Sequence, residues 1–292
     1  MILGLLGWLF IFSSGIFASG AWYQTPQQIL TSQKAGFTPQ FVLLKAGVFS
    51  KSGRLSLPKE FHETSLKTHC STSVESIAWI THRLSPGETL SELSGKTLGQ
   101  QIGQSLEQLC FSAVELDIEP LSQAEPWLEP FLKGVRSSLS PKFKLRLAIP
   151  VLSPQNLPGH FWSLRDGVKA LSWVDGLDVM AYDSGVKSPK DYAQLLKNTF
   201  FFIMELNKTS PEKKIILGLP VYDDKTKLHS KNIENLEMAL ATLRPFTTFQ
   251  LKPLCEDSIR LAYYAGWTLS ESDIKNHQQI EEWKNGICKK GN

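Results

Sequence analysis

From residue 41 to residue 269 the chain switches repeatedly between two hydrophobic patterns, and no other feature restricts its fold as much. Short apolar runs at FVLLKAGVF (41–49), SIAWITHRL (76–84), FSAVELDIEP (111–120) and KLRLAIPV (144–151) have the length and composition of strands. So do GLDVMAYD (176–183), KIILGLPVY (214–222) and SIRLAYYAGWTL (258–269). Longer amphipathic stretches stand between most of them: TLGQQIGQSLEQL (97–109), AEPWLEPFLKGVRSSL, LRDGVKALSWV, PKDYAQLLKNTFFFIMEL (189–206) and NIENLEMALATL (232–243). Repeated strand-then-helix units of this length make neighbouring strands parallel and place the helices over the sheet.

Such a sheet is either open or closed. Several runs carry polar or aromatic residues at alternate positions near their C-terminal ends: Glu115/Asp117/Glu119, Asp178/Tyr182 and Tyr263/Trp267. In a (β/α)8 barrel those ends converge on one mouth, where active sites stand. An open sheet binds its ligand at a switch point, usually beside a glycine-rich turn, and no GxGxxG follows any strand here. The expected fold is therefore α/β, a single (β/α)8 TIM barrel over residues 35–292, irregular in its N-terminal part. Seven strands are evident, and the segment from Lys51 to Glu75 must hold the eighth or depart from the usual pattern.

The N-terminal end is of a different character. Residues 1–33 include no charged side chain, and ILGLLGWLFIFSSGIFA is followed by the small residues Ser19-Gly20-Ala21. Residues 1–21 are expected to be a cleaved signal peptide and the protein to be exported. The basic n-region is missing, so an uncleaved membrane anchor is the alternative. Four cysteines, Cys70, Cys110, Cys255 and Cys288, allow three pairings in an exported chain, with separate buried thiols as the other reading.

Charge and motif content narrow the function. A net charge of +3, from 31 basic and 28 acidic residues, gives no electrostatic reason to expect nucleic acid as a partner. No HExxH, CxxC or GxSxG occurs, so neither a metal, a cofactor nor a serine nucleophile is expected. His82, near a strand end, could reach the mouth, with a surface or packing role as the favoured reading. The expected form is a monomer that meets a membrane only through its N-terminal segment.

The informative stretch is FSAVELDIEP. A strand points alternate side chains to opposite faces, so Glu115, Asp117 and Glu119 share one face and Val114, Leu116 and Ile118 the other. A stripe of like charges opposite a purely apolar face is costly to bury unless it is paired or protonated. A solvated edge strand would tolerate the charge, yet the apolar face and Pro120 at the strand's end favour an acid stripe at a barrel mouth.

SAVELDIE resembles the DGxDxDxE signature of the family-18 glycoside hydrolases, the chitinases and related endo-N-acetylglucosaminidases. Met180-Ala181-Tyr182-Asp183 is similar to that family's M-x-Y-D, Gly218-Leu219-Pro220-Val221-Tyr222 to its G-x-P-x-Y, and Trp267 falls where its last-strand tryptophan lies. The resemblance runs from about residue 105 to residue 285. It implies hydrolysis of β-linked N-acetylhexosamine glycans, with the substrate's own 2-acetamido oxygen attacking the anomeric carbon. Glu119 then matches the general acid/base, with a pKa expected to rise by burial beside another carboxylate. Asp117 matches the residue that holds the acetamido N–H, and Glu115 the one that passes a proton to it. Tyr182 matches the phenol on the acetamido carbonyl. Asp183 stands beside it with Met180, Trp267 forms a floor for the sugar ring and Tyr222 a wall.

Spacing alone reads otherwise: residues two apart on a strand are roughly 6.6–7 Å apart, near the separation of an inverting carboxylate pair. Ser112, Ala113 and Glu115 depart from the family's pattern, which leaves a catalytically silent glycan-binding barrel as the alternative. Tyr222 and Ser258 are 36 positions apart, too close for the additional domain that deepens some chitinase clefts, so the groove is expected to be shallow.

Overall fold

The computed structural model describes residues 19–58, 74–122, 125–151, 162–221, 230–246, 255 and 257–288. Its strands are β1 (Ser19–Tyr23), β2 (Phe41–Phe49), β3 (Leu55–Ser56), β4 (Glu75–Arg83), β5 (Ala113–Glu119), β6 (Lys144–Pro150), β7 (Gly176–Met180), β8 (Lys214–Pro220) and β9 (Ile259–Tyr264). All but β3 pair in parallel in the order β1-β9-β8-β7-β6-β5-β4-β2, and β1 pairs again with β2. That last pairing closes the sheet, so eight strands form a barrel without an edge. β3 folds back antiparallel on the end of β2.

Seven helices surround the described barrel: α1 (Pro26–Lys34), α2 (Glu92–Leu106), α3 (Leu128–Ser138), α4 (Leu164–Leu171), α5 (Pro189–Thr209), α6 (Leu236–Leu243) and α7 (Glu271–Cys288). Local sequence fixes where several begin. Ser91, Ser163, Ser188 and Asn235 each accept a hydrogen bond from the backbone N–H three residues on, satisfying a donor that the first turn leaves open. Between β8 and β9 the described residues supply one regular element, α6, in place of an inserted domain. Among the described residues no helix is long and apolar enough to cross a membrane.

Period two divides each strand between two cores. Outward residues such as Val114, Leu116, Ile118, Leu145, Leu147, Leu217 and Leu261 join the helices in the larger core. A smaller cluster fills the barrel itself, built on Trp22, Phe41, Leu43, Ile77, Trp79 and Ile216. Glu115, Asp117, Arg146 and Asp178 are buried on that inner face as well.

Two expectations need correction. The eighth barrel strand is Ser19–Tyr23, so the barrel takes in residues before 35, and residues 59–73 of the stretch expected to hold that strand lie outside the described residues. The glycine of β1 is required by packing: a Cβ on Gly20 would meet the Phe41 ring and carbonyl at 2.5 Å. Within β9 the inward aromatic is Tyr264, not Tyr263. Tyr263 faces the helices, where its hydroxyl lies 2.8 Å from His277 Nδ1 and its ring meets Phe37. Arg260 and Ala262 set this phase from below, and one residue of register exchanges the two faces. Cys255 and Cys288 are bonded, tying the start of the last βα unit to the end of α7, and Cys110 is also disulfide-bonded. Cys70 lies outside the described residues.

Candidate active site

Register places the three acids of β5 on successive levels of one wall. Glu115 lies across from Trp79 of β4 and Arg146 of β6, Asp117 across from Thr81, and Glu119 across from Arg83. The deepest level is fully enclosed. Trp22 Nε1 donates to Glu115 Oε1 at 3.0 Å, while Arg146 Nε donates to both oxygens of Asp178 at 3.0 Å and Nη2 adds a third contact. Glu115 Oε2 has no donor. Burial first, and then the adjacent Asp178 carboxylate, push the Glu115 carboxyl well above the usual range, and the proton it keeps can be donated to Asp178. Asp178 is itself paired with Arg146. The proton exchange expected between Glu115 and Asp117 thus meets a competing partner.

Asp117 occupies the middle level, with 7% of its surface exposed. Trp79 Nε1 donates to its Oδ2 at 2.9 Å, and its Oδ1 has no partner. Burial and the Glu119 charge raise its pKa from 3.8 to about 7, against the Trp79 hydrogen bond and the cations Lys45 and Arg83. Glu119 ends the strand at the mouth. Its side chain is 47% exposed, 3.9 Å from Arg83 Nη1. The burial expected of Glu119 therefore falls on Asp117 and Glu115 instead.

Facing β5 across the barrel is an aromatic wall. Tyr182, just past β7, stacks on Tyr264 with ring centroids 4.2 Å apart and planes within 2°, and Trp22 meets both edge-on. Gly218 of β8 makes room for this group: a Cβ there would stand 2.7 Å from Tyr182 Cε1 and 3.0 Å from Trp22 Cη2. Burial lifts the Tyr182 phenol well above 10, with Tyr264 and the three β5 acids adding to it, so it stays a proton donor at any ordinary pH. Met180 is half-buried against the same cluster. Asp183 is exposed and turns the chain with φ +51°. Two residues hold that turn from behind: the buried Glu234 accepts from Ser184 N and Oγ, and Tyr192 Oη donates to the Ala181 carbonyl at 2.9 Å.

The structure thus gathers Asp117, Glu119, Met180 and Tyr182 toward one mouth, with Glu115 enclosed below them at the barrel floor and Asp183 at the edge. Trp267 lies on a single 3-10 turn, Gly266–Thr268, directly after β9, and its side chain is outside the described residues. Tyr222 is outside them too. His82 does not face the mouth: it is buried, stacked on Phe49, and joins the Phe49 carbonyl to Glu88. Sequence reading did not find Lys45, Trp22, Trp79, Arg146, Glu234 or Tyr264. Only Tyr264 left a signal, in the aromatic pair of β9; the others are linked to the site by partners 32–93 residues away.

Among the described residues no group of three or more His, Cys, Asp or Glu is placed to hold a metal ion. A cleft of about 110 Å³ lies between α3 and α4, lined by Leu128, Leu132, Trp162 and Trp173 with Glu129 and Lys169. It shares no residue with the mouth.

No protein-family model matches the chain, and no curated protein does. Solved structures do. The spore cortex-lytic enzyme SleL of Bacillus cereus is 14% identical and superposes with a TM-score of 0.60, covering 91% of this chain and 74% of SleL. A chitinase from Chromobacterium violaceum is 13% identical with a TM-score of 0.59, over 90% of this chain and 98% of the enzyme. The family-18 chitinase ChiB of Flavobacterium johnsoniae is 14% identical with a TM-score of 0.54, over 91% and 93%. The fold is that of the family-18 barrels. At such identities the likeness concerns architecture alone.

Proposed function

We propose that the protein is a glycoside hydrolase that cleaves β-linked N-acetylhexosamine glycans by substrate-assisted, retaining catalysis. One observation carries the reading: an open carboxyl, Glu119, stands at the mouth directly above a buried carboxyl, Asp117, which has one unsatisfied acceptor. An acetamido N–H is a donor of the right kind for Asp117 Oδ1. With that N–H held, the acetamido oxygen is turned toward the anomeric carbon. Glu119 gives its proton to the glycosidic oxygen as the bond to the leaving sugar breaks and the acetamido oxygen bonds to the anomeric carbon. Water, deprotonated by the same Glu119, then opens the cyclic intermediate from the side the leaving group vacated, and the configuration is retained. The Tyr182 hydroxyl supports the acetamido oxygen as a donor, and Trp267 and Tyr222 are assigned to the sugar-binding surface by the motif resemblance alone. The likeness to chitinases and to a spore cortex-lytic enzyme supports chitin-type or peptidoglycan strands, with N-glycan cores as a third class. Export through the N-terminal segment fits such substrates and belongs to the same proposal.

Chromogenic N-acetylglucosamine oligomers test it. The wild type is expected to release the chromophore, and Glu119→Gln to lose on the order of 10²-fold or more in kcat while still binding the oligomer. Because Asp117 must be ionised to accept the N–H, kcat/KM is expected to fall as pH drops below about 7. Cleavage of an analogue lacking the 2-acetamido group would rule out substrate assistance. The preference of Glu115 for Asp178 over Asp117 favours a second reading, a glycan-binding barrel without turnover. Oligomer binding with no cleavage at any pH would establish it.

A further inference from the structure

Lys45 is the one buried or half-buried lysine on the inner face of the described barrel that the proposed chemistry does not use. It lies on β2 beside a register shift between Lys45 and Gly47, where the strand pairs with Trp79 of β4. A lysine there could snorkel to solvent along the Trp79 ring and do nothing more. Its head group is instead fixed in three ways. Nζ donates to Thr81 Oγ1 at 2.5 Å, lies 4.6 Å from the Trp79 ring centroid, and feels the charge of Asp117 more than that of Glu119 or Glu115. Thr81 is the residue directly across from Asp117, and Trp79 donates its own N–H to Asp117 Oδ2. Both groups that hold Lys45 are therefore the immediate neighbours of Asp117.

We propose that Lys45 is a positioning residue of this site: its ammonium, held by Thr81 and the Trp79 face, sets the charge carried by Asp117. The other groups around Asp117 cannot substitute for it. From its own strand come the acids Glu119 and Glu115. Across the barrel are Tyr182 and Tyr264, whose phenols are uncharged donors. Asp178 is already neutralised by Arg146 one level below. Arg83 is the remaining cation, but its side chain is 80% exposed at the rim and screened by water. Lys45 is thus the partly desolvated positive charge next to a buried acid, where Coulomb interaction is strongest. Burial alone pulls the Lys45 pKa down, and the three β5 acids oppose that pull, so the ammonium and Asp117 carboxylate support each other's charged forms. The role depends on the reading of Asp117 as the acetamido holder only for its use in catalysis; the charge coupling itself does not.

Trp79 supplies a reporter that needs no substrate, because its indole N–H is bonded to the carboxylate in question. The full chain, labelled with 15N-tryptophan, is titrated by NMR from pH 5 to 9, with Trp79→Phe identifying the signal. In the wild type the Trp79 Nε1–H resonance is expected to move with a midpoint near 7. Lys45→Met should displace that midpoint upward by about half a pH unit or more, and Lys45→Arg should restore it. Lys45→Gln removes the same charge should the methionine variant misfold. An unmoved midpoint in the neutral variants, or an arginine variant that behaves as they do, would overturn the proposal. Where the wild type turns over, the acid limb of kcat/KM must move in the same direction. A wild type without turnover defeats the enzymatic reading and leaves the NMR comparison decisive for Lys45.

Discussion

Asp117 and Glu115 are both buried carboxyls on one strand, and the difference lies in what each can still bond. Glu115 has Trp22 on one oxygen, and its raised pKa leaves it a proton that the neighbouring Asp178 carboxylate can take. Asp117 has Trp79 on one oxygen and nothing on the other. An unsatisfied buried acceptor is a cost in the free protein that a ligand's N–H can relieve. The same burial makes stability depend on pH. Raising the Asp117 pKa from 3.8 to about 7 means that the folded protein keeps a proton the unfolded chain has already released. The resulting stabilisation is complete below pH 3.8 and is lost as pH rises through about 7. Its upper bound is on the order of 4 kcal/mol for this group. Asp117→Asn keeps the acceptor for Trp79 and removes the titration. Urea unfolding of the two proteins at pH 4, 6 and 8 should therefore show the variant gaining on the wild type as pH rises. Parallel pH dependences would mean that Asp117 ionises normally despite its burial.

At the scale of elements, β8 and the turn after β7 illustrate how a sequence motif becomes geometry. Gly218 lies in β8 because Tyr182 and Trp22 occupy the place of its side chain, and Tyr182 cannot yield easily, being stacked on Tyr264. Gly218→Ala is expected to cost about 1–3 kcal/mol by overpacking and to alter the near-UV circular dichroism of the tyrosine pair. An alanine variant with the wild-type denaturation midpoint and spectrum would show that the wall is loose. The same elements explain what could be read from sequence. Seven strands and the acid stripe were legible because period two repeats locally, and the motifs around Asp117, Glu119 and Tyr182 are short. β1 was not, since Gly20 is small for close packing on Phe41, and the string Ser19-Gly20-Ala21 suits a cleavage site after an apolar leader. In β9 the neighbouring Tyr263 and Tyr264 make both phases plausible, and only the partners of Arg260 and Ala262 decide between them. Lys45, Trp22 and Arg146 carry no local signature: each is defined by a residue on another strand.

For the molecule as a whole, the consequence of β1 is that the N-terminal segment and the barrel cannot be treated as independent. Ser19–Tyr23 pairs with β2 on one side and β9 on the other, and Trp22 supplies the hydrogen bond to Glu115 at the barrel floor. β1 enters the barrel at its N-terminal face, while Glu119 ends β5 at the opposite, C-terminal face. A cut after Ala21 would remove three of the five residues of β1 and unpair both neighbouring strands. Processing compatible with this fold spares Ser19. Chains beginning at Ser19 and at Trp22 distinguish the cases. The first is expected to unfold in one cooperative transition with tryptophan fluorescence typical of buried indoles. The second should lose that cooperativity and bind hydrophobic dyes through its open barrel edges. Equal unfolding midpoints for the two chains would show that β1 is dispensable, and the cleavage point expected from the leader's composition would then stand.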